Sequence, residues 1–305
     1  MVFRHEYTNG VWVDLEQPTD DEIRQTAKEF SIPERLEREL LSPSPLPTVA
    51  SEGGMSLLVL HFPTQGAEDG ETKNQEIDFV IGEHLILTVR YEIVVPLHRL
   101  KKLLETQDIV GEKTVLTTDV LLEILFAHLY TSMRDHTNHI ADNLSRVEKA
   151  MFDGQERTTV RAISNISREF LHIEASLANQ EEALRHFFEA LEHYNFFGPS
   201  FPERVLRILG ERSHVAHIVR THRAIATEMR ETNIAILGAR QNEIVKTLTT
   251  ITVIFLPLEL ITFIFAMHLQ GTPLEQNPQA FFIVMAGMFG SVLLTTIYFF
   301  WKRWI

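Results

Sequence analysis

Residues 247–267 read TLTTITVIFLPLELITFIFAM, and residues 279–301 read QAFFIVMAGMFGSVLLTTIYFFW. About 20 residues at 1.5 Å rise cross a hydrocarbon core about 30 Å thick, so each run is long enough to span a bilayer. One such run could be a buried core helix; two in tandem argue for a membrane hairpin. Between residues 247 and 301 the ionisable groups are Glu259, His268, Glu275 and Tyr298 alone. The chain average conceals this division, with a mean hydropathy of −0.02 and 23% charged residues.

The flanks give an orientation. Arg240 and Lys246 precede the first run, Lys302 and Arg303 follow the second, and the link 268–278 has neither Lys nor Arg. The positive-inside rule therefore puts the large N-terminal region and the short C-terminal tail in the cytoplasm, with Glu275 on an external loop. Trp301 and Trp304 fall where interfacial aromatic anchors belong. The opening MVFRHEYTNGVWVDLEQ lacks the continuous apolar core of a signal peptide, so the C-terminal spans are expected to direct insertion. The expected location is a cell membrane of the bacterial inner type, crossed twice. In the second span, Ala286/Gly290 and Gly287/Ser291 have the small-xxx-small spacing that allows close helix approach.

With 305 residues, the chain has room for one large or two ordinary domains. It contains no cysteine, which excludes disulfides and thiolate metal sites. A net charge of −13 argues against a nucleic-acid partner and suits cations. No nucleophile–base arrangement or phosphate loop appears, so no enzymatic activity is expected.

Residues 1–116 mix strand and helix signals. VWVDL, MSLLVLHF, QEIDFVIG and HLILTVR read as strands, and residues 20–30 as a helix capped by Thr19 or Asp20. SPSPLPT and TQGAEDGETKNQ read as loops. From Thr117 the spacing of Leu121, Leu125, Leu129, Ile140, Leu144 and Met151, and then of Val160, Ile163, Ile166, Phe170, Ile173, Leu177, Leu184, Phe188 and Leu191, predicts an antiparallel helical hairpin over 117–202, turning at FDGQ. A stalk over 203–246 then meets no breaker before Pro257 and runs into the first span. A helix of over 60 residues, roughly 95 Å long, is not stable as a solitary rod; it should pack against copies of itself, predicting a homo-oligomer. The fold class is thus an α+β cytoplasmic domain with a long helical stalk and two transmembrane helices.

The stretch NEIVKTLTTITVIFLPLELITFIFAMH, residues 242–268, resembles the CorA family of divalent-cation channels in the two-span group. Asn242, Lys246, Leu248, Thr249 and Pro257 fall in step with that family's pattern, and VWVDLEQPTDDEI with its opening Trp-x-Asp-Leu followed by proline. The family's Gly-Met-Asn triad aligns with Ala266, Met267 and His268, a glycine three residues earlier with Phe263, and its acidic loop loosely with TPLEQ. The resemblance implies a funnel-shaped homopentamer in a lipid bilayer, with the stalk and first span lining a central pore. It further implies divalent cations such as magnesium as transported and regulatory ions, and no tightly bound cofactor.

Steps of three and four from Asn242 put Val245, Leu248, Thr249, Thr252, Leu256, Glu259, Phe263 and Met267 on one helical face. Repeated around a pore, apolar rings would gate by dewetting and the Glu259 ring would favour cations. Facing lipid as an anion, Glu259 would cost about 2.5–3.5 kcal/mol; a watery pore and a hydrogen-bonded carboxyl between helices both avoid that cost. Pro257 removes the backbone bond to the Val253 carbonyl, which either bends the span or is simply tolerated. His268 reads either as an interfacial histidine or as a ligand better suited to zinc, nickel or cobalt than to hydrated magnesium. Glu259 and His268 are accordingly the candidate metal contacts. His136/His139 and His214/His217, at i, i+3, together with His222, suggest weaker cytoplasmic sites.

Overall fold

The computed structural model describes residues 2–63, 74–110, 116–266 and 279–302. The chain divides into two compact units, residues 1–230 and 231–305. The first unit is built on β1 (Val2–Tyr7), β2 (Gly10–Glu16), β3 (Thr48–Glu52), β4 (Met55–Pro63), β5 (Asn74–Ile81) and β6 (Leu85–Arg90). They form one sheet in the order β1-β2-β6-β5-β4-β3. Only the β2–β6 pairing is parallel; the crossover between these strands contains β3, β4, β5 and two helices.

Both faces of the sheet are covered, so its central strands are apolar almost throughout; every residue of β6 is buried. Alternation sorts the side chains by face. Val13, Leu15, Leu57, Val59, Val80, Leu87 and Val89 meet α1 (Asp20–Glu29) and α2 (Glu34–Leu40) through Ile23, Ala27, Leu36 and Leu40. The opposite face, with Phe62 and Phe79, meets α4 (Thr118–Phe152) and α5 (Glu156–Tyr194). Phe126 stacks on Phe79 at 5.2 Å and meets Phe188 edge-on at 5.8 Å, while Tyr130 lies 6.1 Å from Phe62. Ser176 and Gln180 of α5 each donate to the His61 carbonyl at 2.7 Å. Between sheet and hairpin runs α3 (Val95–Val110), whose Lys101 ammonium sits 4.6 Å from the Phe3 ring.

Thr19, not Asp20, caps α1. Its hydroxyl accepts from the Glu22 amide and the Glu22 carboxylate accepts from the Thr19 amide, a reciprocal capping box. In α5 the apolar stripe begins at Ile163; Val160 is exposed, and Thr159 takes the buried position. Strands β1 and β3 and helices α2 and α3 were not among the elements expected from sequence.

The last long helix, α6 (Phe201–Ala266), has 66 residues and continues through Pro257 without interruption. Its first turns are fastened to the hairpin by arginines. Arg204 binds Asp119 and Glu123, Arg212 donates to the Leu177 carbonyl and Glu181, and Arg223 reaches Glu174 at 2.5 Å. His222 stacks on Phe170 at 5.8 Å, and Ala226, not its exposed neighbour Ile225, occupies the inward position of that turn. The second unit comprises the rest of α6 and α7 (Ala280–Trp301).

Candidate functional site

Two helices of the chain are long and apolar enough to cross a membrane: the C-terminal part of α6, and α7. Each has one shielded stripe. On α7 it consists of Val284, Met288, Ser291, Val292, Thr295 and Phe299; on α6, of Thr250, Ile254, Pro257, Leu258 and Ile261. Both follow a period of three and four, as two helices of one hairpin require. Ala286, Gly287 and Gly290 lie on the exposed side of α7, and a Cβ added at Gly287 or Gly290 would meet nothing within 4 Å. Among the described residues, therefore, Gly287 and Gly290 take part in no close approach.

The predicted stripe of α6 falls on the other side of that helix. At about 100° per residue, Glu259 is roughly 160° from Ile261 and 180° from Thr250. Leu256, Glu259 and Phe263 are exposed, as are Asn242, Val245, Leu248 and Thr252, while Thr249 is half-buried. The threonine hydroxyls do not add donors to this face. Thr249 Oγ1 donates to the Val245 carbonyl at 2.8 Å and Thr252 Oγ1 to that of Leu248 at 2.9 Å, leaving acceptor lone pairs outward. The Glu259 carboxylate makes no hydrogen bond or ion pair with any described residue. Ala266 ends α6, and Met267, His268 and Glu275 lie outside the described residues.

Among the described residues no group of three or more His, Asp or Glu side chains is arranged to hold a metal ion. His136 and His139 are electrostatic neighbours. Burial, with His139 adding to it, pushes His136 below the usual imidazole value. His136 lines a cavity of about 110 Å³ with Phe62, Gln75, Val94, Leu129 and Met133.

Two polar constellations in the first unit have no counterpart in the sequence reading. Arg90, fully buried, donates through Nε to Asp14 Oδ1 at 3.1 Å and through Nη2 to Asp14 Oδ2 at 2.8 Å and to Glu16 at 2.5 Å. Thr88 joins Asp14 to the Trp12 indole, so Trp-x-Asp in VWVDL is a structural network between β2 and β6. The second groups Glu76, Asp78, His61 and Tyr91 on the face covered by α2. The available signal for both was a charged residue interrupting an apolar strand, Asp14 in VWVDL and Asp78 in EIDFVI.

Comparison with known proteins bears on the whole architecture. The chain is 24% identical over 299 residues to the cobalt/magnesium transport protein CorA of Methanocaldococcus jannaschii, covering 97% of this chain and 91% of that protein. It is 19% identical over 292 residues to the cobalt/magnesium transport protein CorA of Thermotoga maritima, covering 93% and 80%. Its fold matches the complete structure of the CorA magnesium transporter from Methanocaldococcus jannaschii with a TM-score of 0.84 at 22% identity, over 99% of this chain and 94% of that one. The family model described as CorA-like Mg2+ transporter protein matches residues 8–303, and the chain belongs to that family.

Proposed function

We propose that the chain conducts divalent metal cations across the membrane as a homo-oligomer, a pentamer by analogy with the family, with α6 lining the pore. The observation carrying this reading is the placement of Glu259 on the exposed face of α6, opposite that helix's own shielded stripe. An intramembrane carboxylate with no partner among the described residues needs water, a cation or another subunit, and an ion path supplies all three. On the same face Leu248 and Leu256 supply apolar constrictions, and Asn242, Thr249 and Thr252 supply oxygen acceptors. Ile244, Leu248 and Ile251, together with Arg240 and Glu243, line a groove that a second copy of α6 would fill. The relatives named as cobalt/magnesium transport proteins support a divalent cargo.

The ion is a finer matter. His268 stands where the family has asparagine, and imidazole binds Zn²⁺, Ni²⁺ or Co²⁺ directly better than it mimics the hydration shell of Mg²⁺. Glu259 and His268 are therefore assigned as metal contacts, with a preference for a softer ion. Glu275 adds an external negative charge, and both termini are assigned to the cytoplasm. A second reading rests on Phe263, a bulky ring where the family has glycine: a non-conducting oligomer that senses cations or acts as a scaffold. Flux into proteoliposomes of Mg²⁺, Zn²⁺, Ni²⁺ and Co²⁺ separates the two. Conduction predicts that Glu259→Gln lowers divalent flux roughly tenfold or more, the loss of about 1.4 kcal/mol of ion stabilisation. No flux for any ion in the native protein favours the scaffold.

A further inference from the structure

A polar cluster far along the sequence from the spans clamps the segment that follows α2. His61 on β4 and Glu76 and Asp78 on β5 alternate onto the same sheet face as Leu57, Val59 and Val80, the face under α1 and α2. Asp78 is fully buried; its Oδ1 has no hydrogen-bond partner among the described residues. The Tyr91 hydroxyl lies 3.3 Å from Asp78 Oδ2 and donates to the Leu40 carbonyl at 2.9 Å. Glu76 accepts the Ser44 amide at 2.9 and 3.0 Å, and His61 Nε2 donates to the Ser44 carbonyl at 2.8 Å while lying 3.5 Å from Glu76. Three side chains, Tyr91, Glu76 and His61, thus hold three main-chain atoms of the segment 40–44, and Asp78 sits behind them against the Tyr91 hydroxyl.

The charges in this cluster do not balance unless protons remain. The ionisable groups around Asp78 are Glu76 on its own strand, His61 on β4, Tyr91 after β6, Glu39 on α2 and Asp20 on α1. Of these only His61 can be positive. Two carboxylates side by side in a buried site do not both ionise readily. Burial pushes the Asp78 carboxyl well above the usual carboxylate range, and the Glu76 charge pushes it further. His61 is raised above the usual imidazole value by its bond to Glu76. A proton on Asp78 Oδ1 also turns an unpaired acceptor into a donor towards Glu76.

We propose that Glu76 and Asp78 hold one proton between them and that this proton, with protonated His61 beside it, latches residues 40–44 to the sheet, so that the latch opens as pH rises. Closed, the triad is neutral: one anion, one neutral acid and one imidazolium. Loss of both protons to solvent leaves two buried anions and no cation. Hydrating them draws Glu76 away from the Ser44 amide and frees the segment.

Hydrogen exchange of the Leu41, Ser42 and Ser44 amides in the full-length protein, corrected for intrinsic base catalysis, tests the latch. Protection in the native protein is expected to fall roughly tenfold or more between about pH 6 and about pH 9, whereas Asp78→Asn, permanently neutral at that position, keeps most of it. Protection that is flat in the native protein, or that falls equally in both, overturns the proposal. Should Asp78→Asn fail to fold, Glu76→Gln reads the same proton: with its neighbour neutral, Asp78 ionises more easily and the fall moves to lower pH. A transition that does not move overturns the proposal just as firmly.

Discussion

Asp14 illustrates what a single residue reveals before and after folding. In sequence it is one polar letter in VWVDL; in the fold its two oxygens take the Arg90 guanidinium and the Thr88 hydroxyl. Its partners lie more than seventy residues away in a parallel neighbour, so no local period points to them. Glu259 was legible for the opposite reason: its oddity, an acid in an apolar span, is entirely local. The helical face it shares with Leu256 also follows from spacing alone. His61 supplies a pH prediction at this scale. Its bond to Glu76 raises its proton affinity above that of the unfolded chain, so it stabilises the fold fully below about pH 6.5 and loses that contribution as pH rises through the folded value. Gln at position 61 keeps a donor for the Ser44 carbonyl but cannot titrate. Thermal unfolding of the full-length protein should therefore show His61→Gln less stable than the native protein near pH 6, with the difference shrinking towards pH 9. A difference independent of pH would mean that the imidazolium does no electrostatic work there.

Among the elements, those with a strong period or a complete apolar run were readable. β2, β4, β5 and β6 are central or next to central in the sheet and carry the branched, apolar residues that two covered faces demand. The two edge strands were not readable: β1 reads VFRHEY and β3 reads TVASE, because one side of each is solvated and polar residues are tolerated. α2 is a single short helix whose charged sequence ERLEREL buries only Leu36 and Leu40, too few positions to declare a period. In α6 the stripe persists through the stalk because arginines at 204, 212 and 223 fasten it to acidic or carbonyl partners on α4 and α5 while Val205, Ile208, Val215 and Val219 bury between them. The start of α1 is set by chemistry a sequence does show. Thr19 and Glu22 satisfy each other's backbone amides, and removing the hydroxyl leaves one amide of the first turn without its acceptor. Thr19→Ala should cost about 1 kcal/mol, measured as a shift in the unfolding midpoint of the full-length protein, and Thr19→Ser should recover most of it.

On the scale of the whole molecule, composition alone separated the apolar C-terminal hairpin from the charged remainder, and the structure draws its division at residue 230, within α6, upstream of the first apolar run. The stalk and the first span are one helix, so no change in secondary structure marks where the charged stalk gives way to the apolar run. Charge supplies what secondary structure does not. Arg240 and Lys246 before the first span and Lys302 and Arg303 after the second outweigh a link that contains no basic residue, and by the positive-inside rule this bias favours the proposed orientation, with both termini in the cytoplasm. The absence of native cysteine turns this into a direct measurement, because any cysteine introduced is the sole thiol of the protein. Gln276→Cys places it in the link and Gln25→Cys on the exposed side of α1. In intact cells, a membrane-impermeant maleimide should label the thiol at position 276 and leave that at position 25 untouched until the membrane is opened. Labelling of position 25 in intact cells would invert the assignment. Glu275, proposed as an acid of the external loop, would then face the cytoplasm, and the basic flanks would lie on the side where the membrane potential opposes their retention.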